Sequence, residues 1–128
     1  MQDQPSPAEI IGAVAQFLRG VVAAETSGAT SFQARVAANA LEMMRRELEL
    51  APAEDAAELE RLKALMPGVA GSLVQLNAEL ARRIAAGEID LAAPGLKQHL
   101  WATTLAKLAV DQPSYGGYRA ALAERAGD

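Results

Sequence analysis

The chain has no cysteine, a single histidine and a single tryptophan, and aromatic residues make up only 4% of its 128 residues. Without thiols there are no disulfides and no thiolate metal sites, which suits a reducing cytoplasm. A zinc site built on one imidazole would need carboxylates for nearly all its other ligands, so no metal is expected. Basic residues are outnumbered, 12 against 16 acidic, and the net charge is −4. Nucleic acid and anionic membranes call for a basic field, so neither is expected as a partner. No apolar run is read as long enough to cross a membrane. Met1-Gln2-Asp3-Gln4-Pro5 lacks the basic and apolar regions of a secretory leader. A cytoplasmic location is expected.

Recognisable catalytic motifs are missing as well. No glycine-rich loop precedes a Lys-Ser/Thr pair, no histidines sit in pairs at metal spacing, and no Gly-x-Ser-x-Gly elbow occurs. No Glu-x-x-His pair marks a di-iron bundle. The expectation is a protein with no catalytic residues and no cofactor.

What the chain does have is alanine, within an apolar fraction of 51% and beside a charged fraction of 22%. Scarce β-branched and aromatic residues favour helices over sheets. At this length one domain, residues 1–128, can bury a core. The predicted fold is an all-α, single-domain bundle of five main helices with a short C-terminal helix or tail.

Ser6-Pro7-Ala8-Glu9 has the pattern of a capping box with proline at the first helical position. The first helix is read over 7–24, with Ile10, Val14, Phe17 and Val21 as its stripe and Ile11, Leu18 and Val22 widening it. Gly12 and Gly20 interrupt it, and a glycine there would allow close helix contact. A second helix is read over 30–50 on Ala37, Leu41, Met44 and Leu48. Ala51-Pro52-Ala53 is taken as a break. A third helix over 54–66 would bury Leu59, Leu62, Leu65 and Met66. Met66-Pro67-Gly68 ends it. The fourth, over 72–86, carries Leu73, Leu76, Leu80 and Ile84, with Gly87 as its C-terminal cap. The fifth runs over 94–110 and should be the most buried, packed by Trp101, Leu105 and Leu108. Tyr115-Gly116-Gly117-Tyr118 reads as a flexible turn.

Two polar constellations stand out. At 100° per residue Arg35, Asn39, Glu42 and Arg46 share one side of the second helix. On the fifth, Thr103, Thr104 and Lys107 interrupt an apolar helix, and Lys107 is one turn from Asp111. A solvated face, with threonine hydroxyls bonded to their own helix and Lys107 reaching water, accounts for both. The alternatives are an interhelical polar seam joining Lys107 to Glu42 and Asn39 to a threonine, or an anion site on Arg35, Arg46 and Lys107. His99 has Gly95 and Thr103 one turn away and no carboxylate, so a surface or interface histidine is expected. Trp101 fits a core position or a subunit-interface anchor.

Three segments carry a family resemblance. They are Gln2–Pro5 with Glu9–Val14, Arg35-Val36-Ala37-Ala38-Asn39-Ala40-Leu41 with Arg45–Leu48, and Thr103–Leu108 through Pro113 and Tyr115. The chain resembles, over nearly its full length, an uncharacterised bacterial family of small helical domains of unknown function. Members of that family are often encoded beside or fused to aminoglycoside-phosphotransferase-like kinases and acyl-CoA dehydrogenases. The resemblance implies an accessory role with such an enzyme as partner, and its shared polar positions fall on Arg35, Asn39 and Lys107. The expected function is a non-catalytic accessory or interaction protein, with a homodimer among the arrangements it allows. The alternative is a helical bundle that binds a small anionic, phosphorylated or CoA-linked molecule.

Overall fold

A computed structural model describes residues 4–127. Met1–Asp3, part of both the leader argument and the family resemblance, lie outside it. The protein is all-α: 79% of it is helical, and no strand occurs among the described residues. Its helices are α1 (Pro7–Glu25), α2 (Gly28–Leu65), α3 (Leu73–Ala85), α4 (Leu96–Asp111) and α5 (Gly116–Gly127).

Two boundaries differ from the sequence reading. The expected second and third helices are one 38-residue helix with Pro52 inside it. Proline removes one ladder hydrogen bond, and the carbonyl that loses its donor belongs to Leu48. Leu48 and Pro52 are both exposed, so water can take up that carbonyl, and the helix formers on either side carry the helix through. At the other end, Gly116 and Gly117 do not form a loop; they open α5.

The chain forms two compact units, one ending at Ala51 and the other beginning at Pro52, so α2 contributes to both. In the first unit, Ser6 and Glu9 close the expected capping box: the Ser6 amide donates to Glu9 Oε2 at 2.7 Å and the Glu9 amide to Ser6 Oγ at 3.3 Å. These bonds hold the Glu9 carboxyl below its ordinary range, the Ser6 amide contributing most. A π-helical turn interrupts α1 over Leu18–Val22. Ser31 Oγ, buried, donates to the Ala23 carbonyl at 2.8 Å and ties the start of α2 to the end of α1.

The buried side chains of this unit are small: Ala15, Ala23, Ser31, Ala34 and Ala38. On α1 the inward line is Ile11, Ala15, Leu18 and Val22, one position away from the stripe read in the sequence. Ile10, Val14, Phe17 and Val21 face water instead. On α2, Met44 and Leu48 are likewise exposed, and the inward line runs through Ala34, Ala38 and Leu41 to the half-buried Arg45. Gly12 leaves room for that arginine, since a Cβ there would lie 3.3 Å from Arg45 Cδ; a Cβ on Gly20 would meet nothing.

The second unit has the larger core. Leu62, Met66, Leu76, Leu80 and Leu96 form a fully buried cluster, with Leu59, Leu65, Val69, Leu73, Ile89 and Ala93 packed around it. The residues expected to be buried on 54–66 are all there, and of the stripe expected on α3, Leu73, Leu76, Leu80 and Ile84, only Ile84 faces out. Ser72 caps α3 with Gln75 returning the bond, and Gly87 follows its end at φ 71°. Gly95 begins α4 at φ 88°, a left-handed conformation that glycine adopts without strain.

Candidate functional site

Helix α4 is buried on the expected side at Leu105, and also on the opposite side. Leu96, His99 and Leu105 are its buried residues, whereas Trp101 is 55% exposed. The expectation of a surface or interface histidine is overturned, and of the two readings of Trp101, core or interface anchor, the core one is overturned too. Leu96 and His99 lie nearly 60° apart on a helical wheel, and the core formed with Leu62 and Met66 selects that side.

The imidazole of His99 is 2% exposed, and its Nδ1 has no hydrogen-bond partner among the described residues. Thr103, one turn on, buries its Oγ1 in the same state, and Arg61 on α2 buries Nε and Nη2 likewise. Glu58, one turn before Arg61, accepts from Asn77 Nδ2 on α3 at 2.8 Å. Burial lowers the His99 pKa; Glu58 opposes this and Arg61 reinforces it. The result is a polar group of Glu58, Arg61, Asn77, His99 and Thr103 beside the leucine core. Its imidazole is held neutral and its guanidinium has donors to spare.

His99's own helix offers no carboxylate one turn away and gives no sign of this group, because Glu58 and Arg61 come from another helix. One signal was available in the sequence. Asn77 sits within Leu76-Asn77-Ala78, an amide in apolar company, as Asn39 does within Ala38-Asn39-Ala40.

The other face of α4 borders a groove of about 660 Å³ lined by Leu91, Lys97, Gln98, Leu100, Trp101 and Thr104. Thr104 Oγ1 donates to the Leu100 carbonyl at 2.8 Å, as expected of a threonine on an exposed helix face.

Of the residues singled out in the sequence, Arg35, Asn39, Glu42 and Arg46 belong to the first unit, and Thr103 and Lys107 to the second. Asn39 Oδ1 accepts from Arg19 Nη2 on α1 at 2.9 Å, at an exposed position. Glu42 pairs with Arg45 at 3.0 Å, and Arg45 also holds Glu49 at 2.8 Å, so Arg45 organises this face. Those carboxylates keep the guanidinium charged, its pKa raised first by Glu42 and then by Glu49. Arg35 is exposed and Arg46 half-buried. Lys107 and Asp111 are exposed and form no ion pair with each other.

The first unit leaves a line of large apolar side chains exposed. Ile10, Val14, Phe17 and Val21 recur at i, i+4, i+7 and i+11 on α1, and Phe32 and Val36 are exposed on α2. Over Pro7–Glu25, α1 is 19 residues long; its most apolar 18-residue stretch has mean hydropathy 1.3 and is only 11% buried. By length and composition alone this helix is long and apolar enough to cross a membrane, although it holds no continuous apolar run of that length. Gln16, Arg19 and the glycines break up any continuous apolar run and conceal this, but the average over the helix remains apolar.

These segments place the protein in a class of small all-α domains. The chain belongs to a family described as a domain of unknown function (DUF6285), whose profile matches residues 24–115. The resemblance is thereby established in its coarser form. The match leaves out the opening Gln2–Val14 segment as well as α5. No curated protein and no solved structure matches the chain.

Proposed function

We propose that the protein is a non-catalytic accessory protein that docks a partner through the apolar outer face of α1. The observation carrying this reading is the exposed line Ile10, Val14, Phe17 and Val21. It extends for roughly 16 Å at 1.5 Å per residue. Contiguous apolar surface of this kind marks interaction sites, whereas isolated exposed leucines do not. A helix-in-groove partner reads anchors at this same spacing. Following the family resemblance, the partner is a kinase-like phosphotransferase or an acyl-CoA enzyme.

The test mixes the purified full chain with one enzyme of each class and measures mass by light scattering during gel filtration. A complex of defined stoichiometry is expected with one of them. Val14→Glu with Phe17→Glu should abolish it while circular dichroism remains unchanged. No complex with either enzyme, or one that survives the double substitution, would sink the reading. Flotation with lipid vesicles that depends on the same two residues would assign the face to a bilayer instead.

A further inference from the structure

We propose that the groove beside Trp101 binds an apolar carboxylate: a medium-length acyl or aryl chain carrying one anionic head group. The groove belongs to the second unit, shares no residue with the α1 face and is independent of the docking role. Its apolar lining is Leu91, Leu100 and Trp101, which are 72%, 40% and 55% exposed. Its volume of about 660 Å³ lies within the usual range for small-molecule sites, roughly 300–1,000 Å³. Lys97, Leu100, Trp101 and Thr104 follow one another along a single face of α4, over roughly 10 Å. That length suits a small molecule better than a docking helix, which reads anchors across three or more turns.

The polar chemistry of the groove selects the head group. Lys97 is the only charged residue lining it and forms no ion pair among the described residues. Gln98 adds an amide donor. The Thr104 hydroxyl proton is already committed to the Leu100 carbonyl. Lys97 and Gln98 lie in the first turn of a 16-residue helix, where backbone amides lack intrahelical acceptors and the dipole favours an anion. A chain of net charge −4 thus presents a local cation at one end of an apolar surface. This complements a carboxylate with a hydrocarbon body and opposes an ammonium with the same body.

Trp101 is the only tryptophan in the chain, so its emission reports on this groove directly. The full chain is titrated with decanoate below its micellar range, with decanol and decyltrimethylammonium as matched controls. Decanoate should give a saturable blue shift. Decanol should bind at least roughly fivefold more weakly, and the ammonium should give no shift over the same range. Lys97→Glu should weaken decanoate by roughly fivefold to tenfold, and Lys97→Gln by less. Lys63→Glu, the same charge change outside the groove, should leave binding intact. The absence of any shift, equal response to the three decyl compounds, or unaltered binding in Lys97→Glu would overturn the proposal. So would a blue shift that tracks protein concentration with no ligand added, since a second copy would then fill the groove.

Discussion

An imidazolium at His99 would lose nearly all its hydration, and no partner replaces it at Nδ1. The folded state therefore favours the neutral ring, with a pKa below that of the unfolded chain. Below about pH 6.5 the unfolded state takes up a proton that the folded state resists, so stability falls with acidification. Denaturant midpoints should drop between pH 7 and pH 5, and His99→Gln should flatten that slope. An equal slope in both proteins would show that His99 titrates as if unfolded. Thr103 invites a second substitution. Its hydroxyl is buried without a partner, so Thr103→Val removes an unpaired polar group at nearly constant volume. The change should be neutral or stabilising by up to about 1 kcal/mol in urea unfolding. A loss above about 1 kcal/mol would reveal a bond to that hydroxyl. The state of His99 was not legible in the sequence, because the charges that act on it, Glu58 and Arg61, come from α2, more than thirty residues away.

Helices themselves were largely legible, since capping and periodicity act within a few residues. Ser6 with Glu9, the start at Ser72, the end at Gly87 and the break after Met66 all follow the local pattern. Gly116 with Gly117 and Pro52 are the exceptions, and Pro52 shows that a proline penalty is a cost a helix can carry. The long α2 keeps its backbone ladder on both sides of an exposed residue. Replacing it should recover part of what proline costs a helix interior. Pro52→Ala should raise stability by roughly 1–3 kcal/mol, read as a higher denaturant midpoint at unchanged m. A destabilised variant would mean that Pro52 shapes the helix in a way the rest of the fold requires.

On the scale of the whole molecule, the two units differ in what they bury. The unit from Pro52 onward hides a cluster of four leucines and a methionine, whereas the unit ending at Ala51 fully buries little besides alanines, half-buries Ile11, Leu18, Val22 and Leu41, and leaves Ile10, Val14, Phe17 and Val21 in water. Apolar stabilisation scales with buried area, so the alanine-lined hairpin should open at lower free energy. Hydrogen exchange should show amides of α1 and the first half of α2 less protected than those of α3 and the start of α4. Equal protection throughout would mean that the chain unfolds as one block. Leu62→Ala, at the centre of the larger core, should cost about 2–5 kcal/mol. This asymmetry also supports the docking reading, because a face that buries little on its own has most to gain from a partner.

The sequence alone determined the helical class, most of the helix ends and the leucines that make the larger core. Each depends on neighbours within a turn or on apolar residues too numerous on one stripe to face water. Tertiary structure decided which of two adjacent stripes turns inward. On α1 the competing lines are neighbours, about 100° apart on the wheel, so local periodicity does not separate them, whereas on α4 Leu96 and His99 lie on the side opposite Trp101, Leu105 and Leu108 and only the partner helices decide between the sides. Packing chose Ile11, Ala15, Leu18 and Val22 over Ile10, Val14, Phe17 and Val21, because small residues let two helices approach closely. It also put His99 inside and Trp101 outside, the reverse of what residue type suggests, since Leu62, Met66 and Leu96 define the core on that side of α4.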